Sequence, residues 1–237
     1  MKKTVFFLCA LFGVLNLSAQ TSNQKSFIGI SVGPSFPVGD FANKNAYDVN
    51  SGLASIGGFL NINYGYKFSD NFGAIAILRG SIHGVDSQSL KNGYSLPDGS
   101  GGSLSYEAGT WKSGGLLVGL FQGFSLNDSK NFVFELKGAI GVQSTSTPSL
   151  KIRGNIPGFG SFEGNQESIS ATSFAYLLGI GLNYGLGNNL TLKFHGDYSG
   201  SNPNFKDVVL NPSSDTKTNS QQNIGTIDVG VGLALSF

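Results

Sequence analysis

This chain is nearly without cysteine and methionine and is poor in charge. Its only cysteine, Cys9, and its only methionine, Met1, both lie in the first nineteen residues. Those residues read as an export leader. Lys2 and Lys3 precede an apolar stretch from Thr4 to Leu17, and Leu17-Ser18-Ala19 supplies a cleavage site before Gln20. Cys9 sits inside the apolar stretch, too early for a lipidation site. A mature chain starting at Gln20 then has no disulfide and no thiolate metal site.

Charged residues make up 12% of the chain, against about 25% in ordinary soluble domains. That is too little charge to cover a wetted surface. There are 15 basic and 14 acidic residues, and losing Lys2 and Lys3 leaves 13 against 14. This balance argues against nucleic acid as a partner. After residue 20, no apolar run is long enough for a transmembrane helix.

What the chain does have is alternation and glycine, 35 of 237 residues. Apolar side chains at every second position mark one face of a β-strand. Eight such segments are expected: 27–33, 54–68, 72–83, 111–126, 132–144, 170–186, 190–199 and 223–237. In the sixth, Phe174, Tyr176, Leu178, Ile180, Leu182 and Tyr184 alternate with Ser173, Gly179, Gly181 and Asn183. The third is imperfect, because Ile75 and Ile77 fall on its polar face. Gln122 interrupts the apolar face of the fourth.

The links alternate between short ones rich in Asn, Asp, Ser and Gly and long ones of roughly twenty residues. This is the pattern of short periplasmic turns and long extracellular loops in a membrane barrel. The expected fold is therefore all-β: an eight-stranded antiparallel up-and-down transmembrane β-barrel over residues 20–237, with both termini periplasmic. Tyr64, Tyr66, Phe68, Phe72, Phe124, Phe132, Phe134, Tyr184 and Phe237 gather beside the short turns on the presumed lipid face, as an aromatic girdle does.

Alternation does not say which face looks inward. A lipocalin-like soluble barrel would bury the apolar face, but the opposite face carries too few Lys and Glu for a water-exposed shell. With the apolar face outward, the lumen receives Lys67, Arg79, His83, Glu135, Lys137, Lys193, His195, Asp197 and Asp228. Charges of both signs in so narrow an interior must pair or be hydrated. A salt-bridged plug is expected rather than an open channel.

Motifs for chemistry are sparse. His195 and Asp197 project to one side of a strand, which suits either a hydrogen-bonded lumen histidine or part of a hydrolytic site. Two histidines and no mature cysteine argue against a metal. Asp86, Asp98 and Glu107 share a long link without the spacing of a calcium loop. Gly99-Ser100-Gly101-Gly102 precedes no helix and is no phosphate cradle. No cofactor is expected.

The last residues, with Val229, Val231, Leu233, Leu235 and Phe237 on one face, resemble the terminal strand that outer-membrane barrels present to the barrel-assembly machinery. Together with the strand pattern and the stretch Gly33-Pro34-Ser35-Phe36-Pro37-Val38-Gly39-Asp40-Phe41, the chain resembles the small outer-membrane barrels, OmpX-like proteins and the membrane domain of OmpA-like proteins. That resemblance implies outer-membrane lipid and the assembly machinery as partners and is nearly silent on activity. Unlike the OmpA-like proteins, the chain is expected to carry no periplasmic domain after the barrel.

Three functions fit. One is a non-catalytic surface protein whose long loops meet a ligand or partner, with Tyr94, Tyr106, Phe159, Phe162 and Phe205 as loop anchors. The others are a narrow pore and a lipid-modifying or proteolytic barrel enzyme.

Overall fold

The computed structural model describes residues 24–93, 101–158, 160–209 and 217–237. The leader, Tyr94, Asp98 and Phe159 lie outside them. Eight long strands close into one barrel: β1 (Ser26–Val38), β2 (Ala54–Lys67), β3 (Phe72–Val85), β5 (Trp111–Ser125), β6 (Phe132–Ser146), β9 (Ser170–Gly187), β10 (Leu190–Ser201) and β13 (Ile224–Ser236). Every neighbouring pair is antiparallel. β1 meets β13 through registers such as Ile30 opposite Leu233, so the sheet has no free edge.

Residues 68–71, 126–131 and 188–189 form the short links. Asn188 (φ 49°) and Asn189 (φ 68°) both occupy the left-handed region. A two-residue hairpin turn of matching twist requires that, and asparagine tolerates it better than most side chains.

The pleat settles which face looks out. Leu116 is 52% exposed while its neighbour Leu117 is 1% exposed. Ile30, Ile62, Leu78, Val118, Ile140, Leu178, Ile180, Phe194 and Val231 all face outward, so the apolar exterior is as expected. The aromatic cluster at the short-turn end is a belt of touching rings, with Phe68 lying 5.8 Å from Tyr66 and 5.7 Å from Phe72, and Phe132 lying 6.5 Å from Tyr184.

Two expectations need correction, and the long links add structure that the sequence left open. The first strand runs past Gly33 to Val38. The alternation carries on through Pro34 and Pro37, with Ser35 buried and Phe36 outward. The lumen is also not lined by small and charged residues alone. Ile75 and Ile77, which had looked like defects in the alternation, are buried with Phe27, Leu117, Phe121 and Leu177 in an apolar cluster. An eight-stranded bore is wide enough only for its own side chains, and here large apolar ones fill part of it.

The long links, finally, are not plain loops. They carry a helix α1 (Ser87–Gly93), a three-stranded sheet of β4 (Ser103–Ala108), β7 (Leu150–Ile156) and β8 (Gly160–Gln166), and a hairpin of β11 (Asn204–Val209) and β12 (Lys217–Gln221).

Candidate functional site

Three features inside the barrel could carry function: a charged centre, an aromatic cap at the long-loop end and a vestibule at the short-turn end. The centre is built by inward positions of β3, β6, β10 and β13. Arg79 reaches across to Asp228 at 2.5 Å, and both side chains are almost fully buried. Ser35 Oγ donates to Asp228 Oδ1 in a short contact. Arg79 also donates to Thr226 Oγ1 at 3.2 Å, and its guanidinium lies 5.6 Å from the centre of the Phe59 ring.

A second group joins Lys137 to Asp197 at 2.9 Å and His195 Nδ1 to the other oxygen of Asp197, also at 2.9 Å. Gly179 faces this pair; a Cβ there would overlap Asp197 Oδ1 and Lys137 Cε. The third group is Glu135, held by Lys193 at 3.1 Å and by the Asn183 amide at 2.9 Å. Three cations therefore face three carboxylates. A buried charge without a partner costs several kcal/mol, about as much as a small domain can spare, and this pairing offsets much of that cost. Ion pairs thus join these inward charges across the lumen.

His83, the remaining sequence candidate in the lumen, is buried towards the long-loop end. Its Nε2 lies 3.3 Å from Ser35 Oγ and its Nδ1 lies 3.2 Å from the Ser55 carbonyl. No carboxylate orients this imidazole through Nδ1, as a hydrolytic triad would require. Lys67 sits at the barrel rim, half-buried. Ser35, Thr226 and Asn183 were missed by the sequence reading. Ser35 follows from parity once β1 is extended to Val38, Thr226 follows from parity within the expected 223–237 strand, and Asn183 lay on the polar face already recognised.

The cap was not foreseen. A short 3-10 turn, Gly39–Ala42, drops Phe41 into the mouth, where it is 1% exposed. Its ring lies 5.5 Å from Trp111 and 5.2 Å from His83, edge to face in both cases. Phe205 completes the cap 6.2 Å from Trp111. Phe205 is therefore no exposed loop anchor; among the described candidates only Phe162 is prominently exposed. Trp111 Nε1 donates to the Gly52 carbonyl at 3.0 Å, and Gln222 Nε2 donates to the Asn50 carbonyl at 2.9 Å. These bonds stitch the first long link across the mouth.

The acidic loop residues pair with cations of the protein. Asp86 binds Lys44 at 2.9 Å, and Glu107 binds Arg153 at 2.9 Å. Hydrogen bonds from Lys44 and from the Ser89 amide and hydroxyl lower the pKa of Asp86 to about 2. No cluster of metal-ligating side chains occurs among the described residues. The terminal strand places Val229, Val231, Leu233 and Leu235 outward, and Phe237 is half-buried with its amide donating to the Ser26 carbonyl at 2.8 Å.

No protein-family model matches the chain, and no curated protein matches it. Solved structures do. Neisserial surface protein A is 12% identical, with 90% of this chain and 97% of that one covered and a TM-score of 0.47. Ail of Yersinia pestis, solved with the heparin analogue sucrose octasulfate, is 19% identical, with 90% and 100% covered and a TM-score of 0.45. OprG of Pseudomonas aeruginosa is 13% identical, with 90% and 98% covered and a TM-score of 0.45. Its own strand pairing and apolar exterior make this chain a closed eight-stranded antiparallel barrel of the architecture found in small outer-membrane proteins.

Proposed function

We propose that the protein is a non-catalytic outer-membrane barrel that acts through its folded long links at the cell surface. In this reading the leader is removed, both termini and the short turns lie in the periplasm, and β13 with Phe237 serves the barrel-assembly machinery. The observation that carries it is the division of labour along the axis. The bore is filled by ion pairs, an apolar cluster and an aromatic cap, while the long links form sheets of their own. A filled bore argues against a pore. His195 and Asp197 are enclosed in the lumen rather than open to a lipid substrate, which argues against a barrel hydrolase.

The surface offered to a partner is the sheet of β4, β7 and β8. Arg153 lies between Glu107 at 2.9 Å and Glu163 at 3.6 Å on it, and Phe162 is exposed beside them. Impermeant maleimide on intact cells should label a cysteine introduced at Ser161 and spare one at Ser129. The reverse pattern would refute the orientation. Steady single-channel conductance in planar bilayers would refute the filled bore.

A further inference from the structure

The bore is closed at one end only. At the short-turn end it opens into a vestibule of about 490 Å³, within the ~300–1,000 Å³ usual for small-molecule sites. Its floor is the edge-to-face pair Phe27 and Phe121, with ring centres 5.6 Å apart. Its walls carry Lys25, Lys67, Lys130 and Lys193 against Asp70 and Glu135, four ammoniums to two carboxylates.

Pairing accounts for two of the four ammoniums. Lys130 meets Asp70 at 3.3 Å and Lys193 meets Glu135 at 3.1 Å. No ion pair engages Lys25 or Lys67 among the described residues. Lys193 Nζ also stands 5.0 Å from the centre of the Phe27 ring, so cationic and aromatic surfaces meet at one place.

We propose that this vestibule binds a small organic anion. Its apolar body would lie on the Phe27 and Phe121 rings, and its carboxylate or phosphate would be held by Lys67 and Lys25. Lys67 is half-buried and Lys25 exposed at the same rim, and an anion held by both would offset the repulsion between them. The apolar floor gives an amphiphilic anion an advantage over a bare inorganic one. Because side chains fill the bore above the floor, the ligand enters and leaves by the same mouth. The site rests on the proposed function only for its compartment, the periplasm.

Calorimetric titration of the full barrel in lipid nanodiscs with phenyl phosphate tests it. The expected result is saturable binding of one molecule per barrel, weaker at higher salt. Affinity should fall by about tenfold or more in the Lys25→Gln/Lys67→Gln double variant, in line with losing charge-assisted contacts. Ser125→Trp, which fills the mouth, should abolish binding, and uncharged benzyl alcohol should not bind. Heat-modifiable migration on gels shows that each variant is folded.

Absence of saturable binding to the folded wild-type barrel would overturn the proposal, as would unchanged affinity in the double variant. Inorganic phosphate binding as tightly as phenyl phosphate would overturn the role given to the aromatic floor. Labelling of a Ser129→Cys variant from outside intact cells would overturn the orientation while leaving a measured affinity standing, so the two failures are read separately.

Discussion

At the long-loop end, Phe41, Trp111 and Phe205 fill the bore with aromatic rings; at the short-turn end the same bore widens into a basic vestibule. The difference follows from chain length. The link at 39–53 is long enough to turn back and set Phe41 into the mouth, with Gly52 and Asn50 carbonyls accepting bonds from Trp111 and Gln222. A two-residue turn such as Asn188-Asn189 has no chain to spare for that. Its end of the bore stays open to water, and the charges there border that water, although Glu135 itself is buried. Ion pairs at the two levels should therefore differ in what their loss costs.

The largest effect is expected at the enclosed level. Asp228→Ala leaves the Arg79 guanidinium buried with Thr226 as its remaining hydrogen-bond partner. Breaking a buried pair in this way costs about 3–5 kcal/mol. Urea unfolding of the barrel in lipid vesicles measures it, and adding Arg79→Met should restore much of the loss. No recovery would mean that Asp228 matters through Ser35 rather than through Arg79.

Next is Phe41→Ala, at about 3 kcal/mol for the cavity it leaves. Trp111, the only tryptophan of the chain, reports on it directly. Its fluorescence should shift to the red and become open to iodide quenching. Unchanged quenching would show that the cap is closed without Phe41.

Smaller still is Lys193→Met at the open level. Glu135 is buried but keeps the Asn183 amide and borders the vestibule, so about 2 kcal/mol is expected. A cost equal to that of Asp228→Ala would erase the contrast between the two ends.

The barrel wall was legible because each strand is tested by both lipid and lumen, and that demand writes a period of two into the sequence. Val229 through Phe237 show it without a break. The charges were legible for a related reason: Arg79, Glu135, Lys137, Asp197 and Asp228 are polar exceptions whose parity alone puts them inside. Which charge meets which was not legible. Arg79 and Asp228 lie 149 positions apart and are joined through the shear of the closed sheet, which no local pattern records. The cap was hidden for another reason. Phe41, Trp111 and Phe205 come from three separate elements with no shared period, so each reads as an ordinary loop or strand-end aromatic until the chain folds over the mouth. Ile75 and Ile77 misled in the opposite sense: they break the alternation because that wall of the lumen is apolar.

The weakest effect expected concerns how the first two long links are tied together above the cap. Asp86 accepts from the Ser89 amide at 2.9 Å, capping α1, and binds Lys44 at 2.9 Å, while its own amide donates to the Leu53 carbonyl at 2.8 Å. These donors lower its folded-state pKa from the ordinary 3.8 to about 2. A carboxylate with a depressed pKa contributes its stability above the ordinary value and loses it as pH falls towards the folded one. The tie should thus be intact at neutral pH and weaken only on acidification between about 4 and 2. Lys44 is largely exposed, so the ion pair itself adds less than about 1 kcal/mol, and the barrel should remain closed throughout. The Ser89 amide resonance, followed by NMR in nanodiscs, should titrate with a midpoint near that of Asp86 and stop titrating in Asp86→Asn. A midpoint at the ordinary carboxylate value would mean that Lys44 and the α1 cap do not hold Asp86 in solution, and that the second long link rests on the Leu53 bond without help from charge.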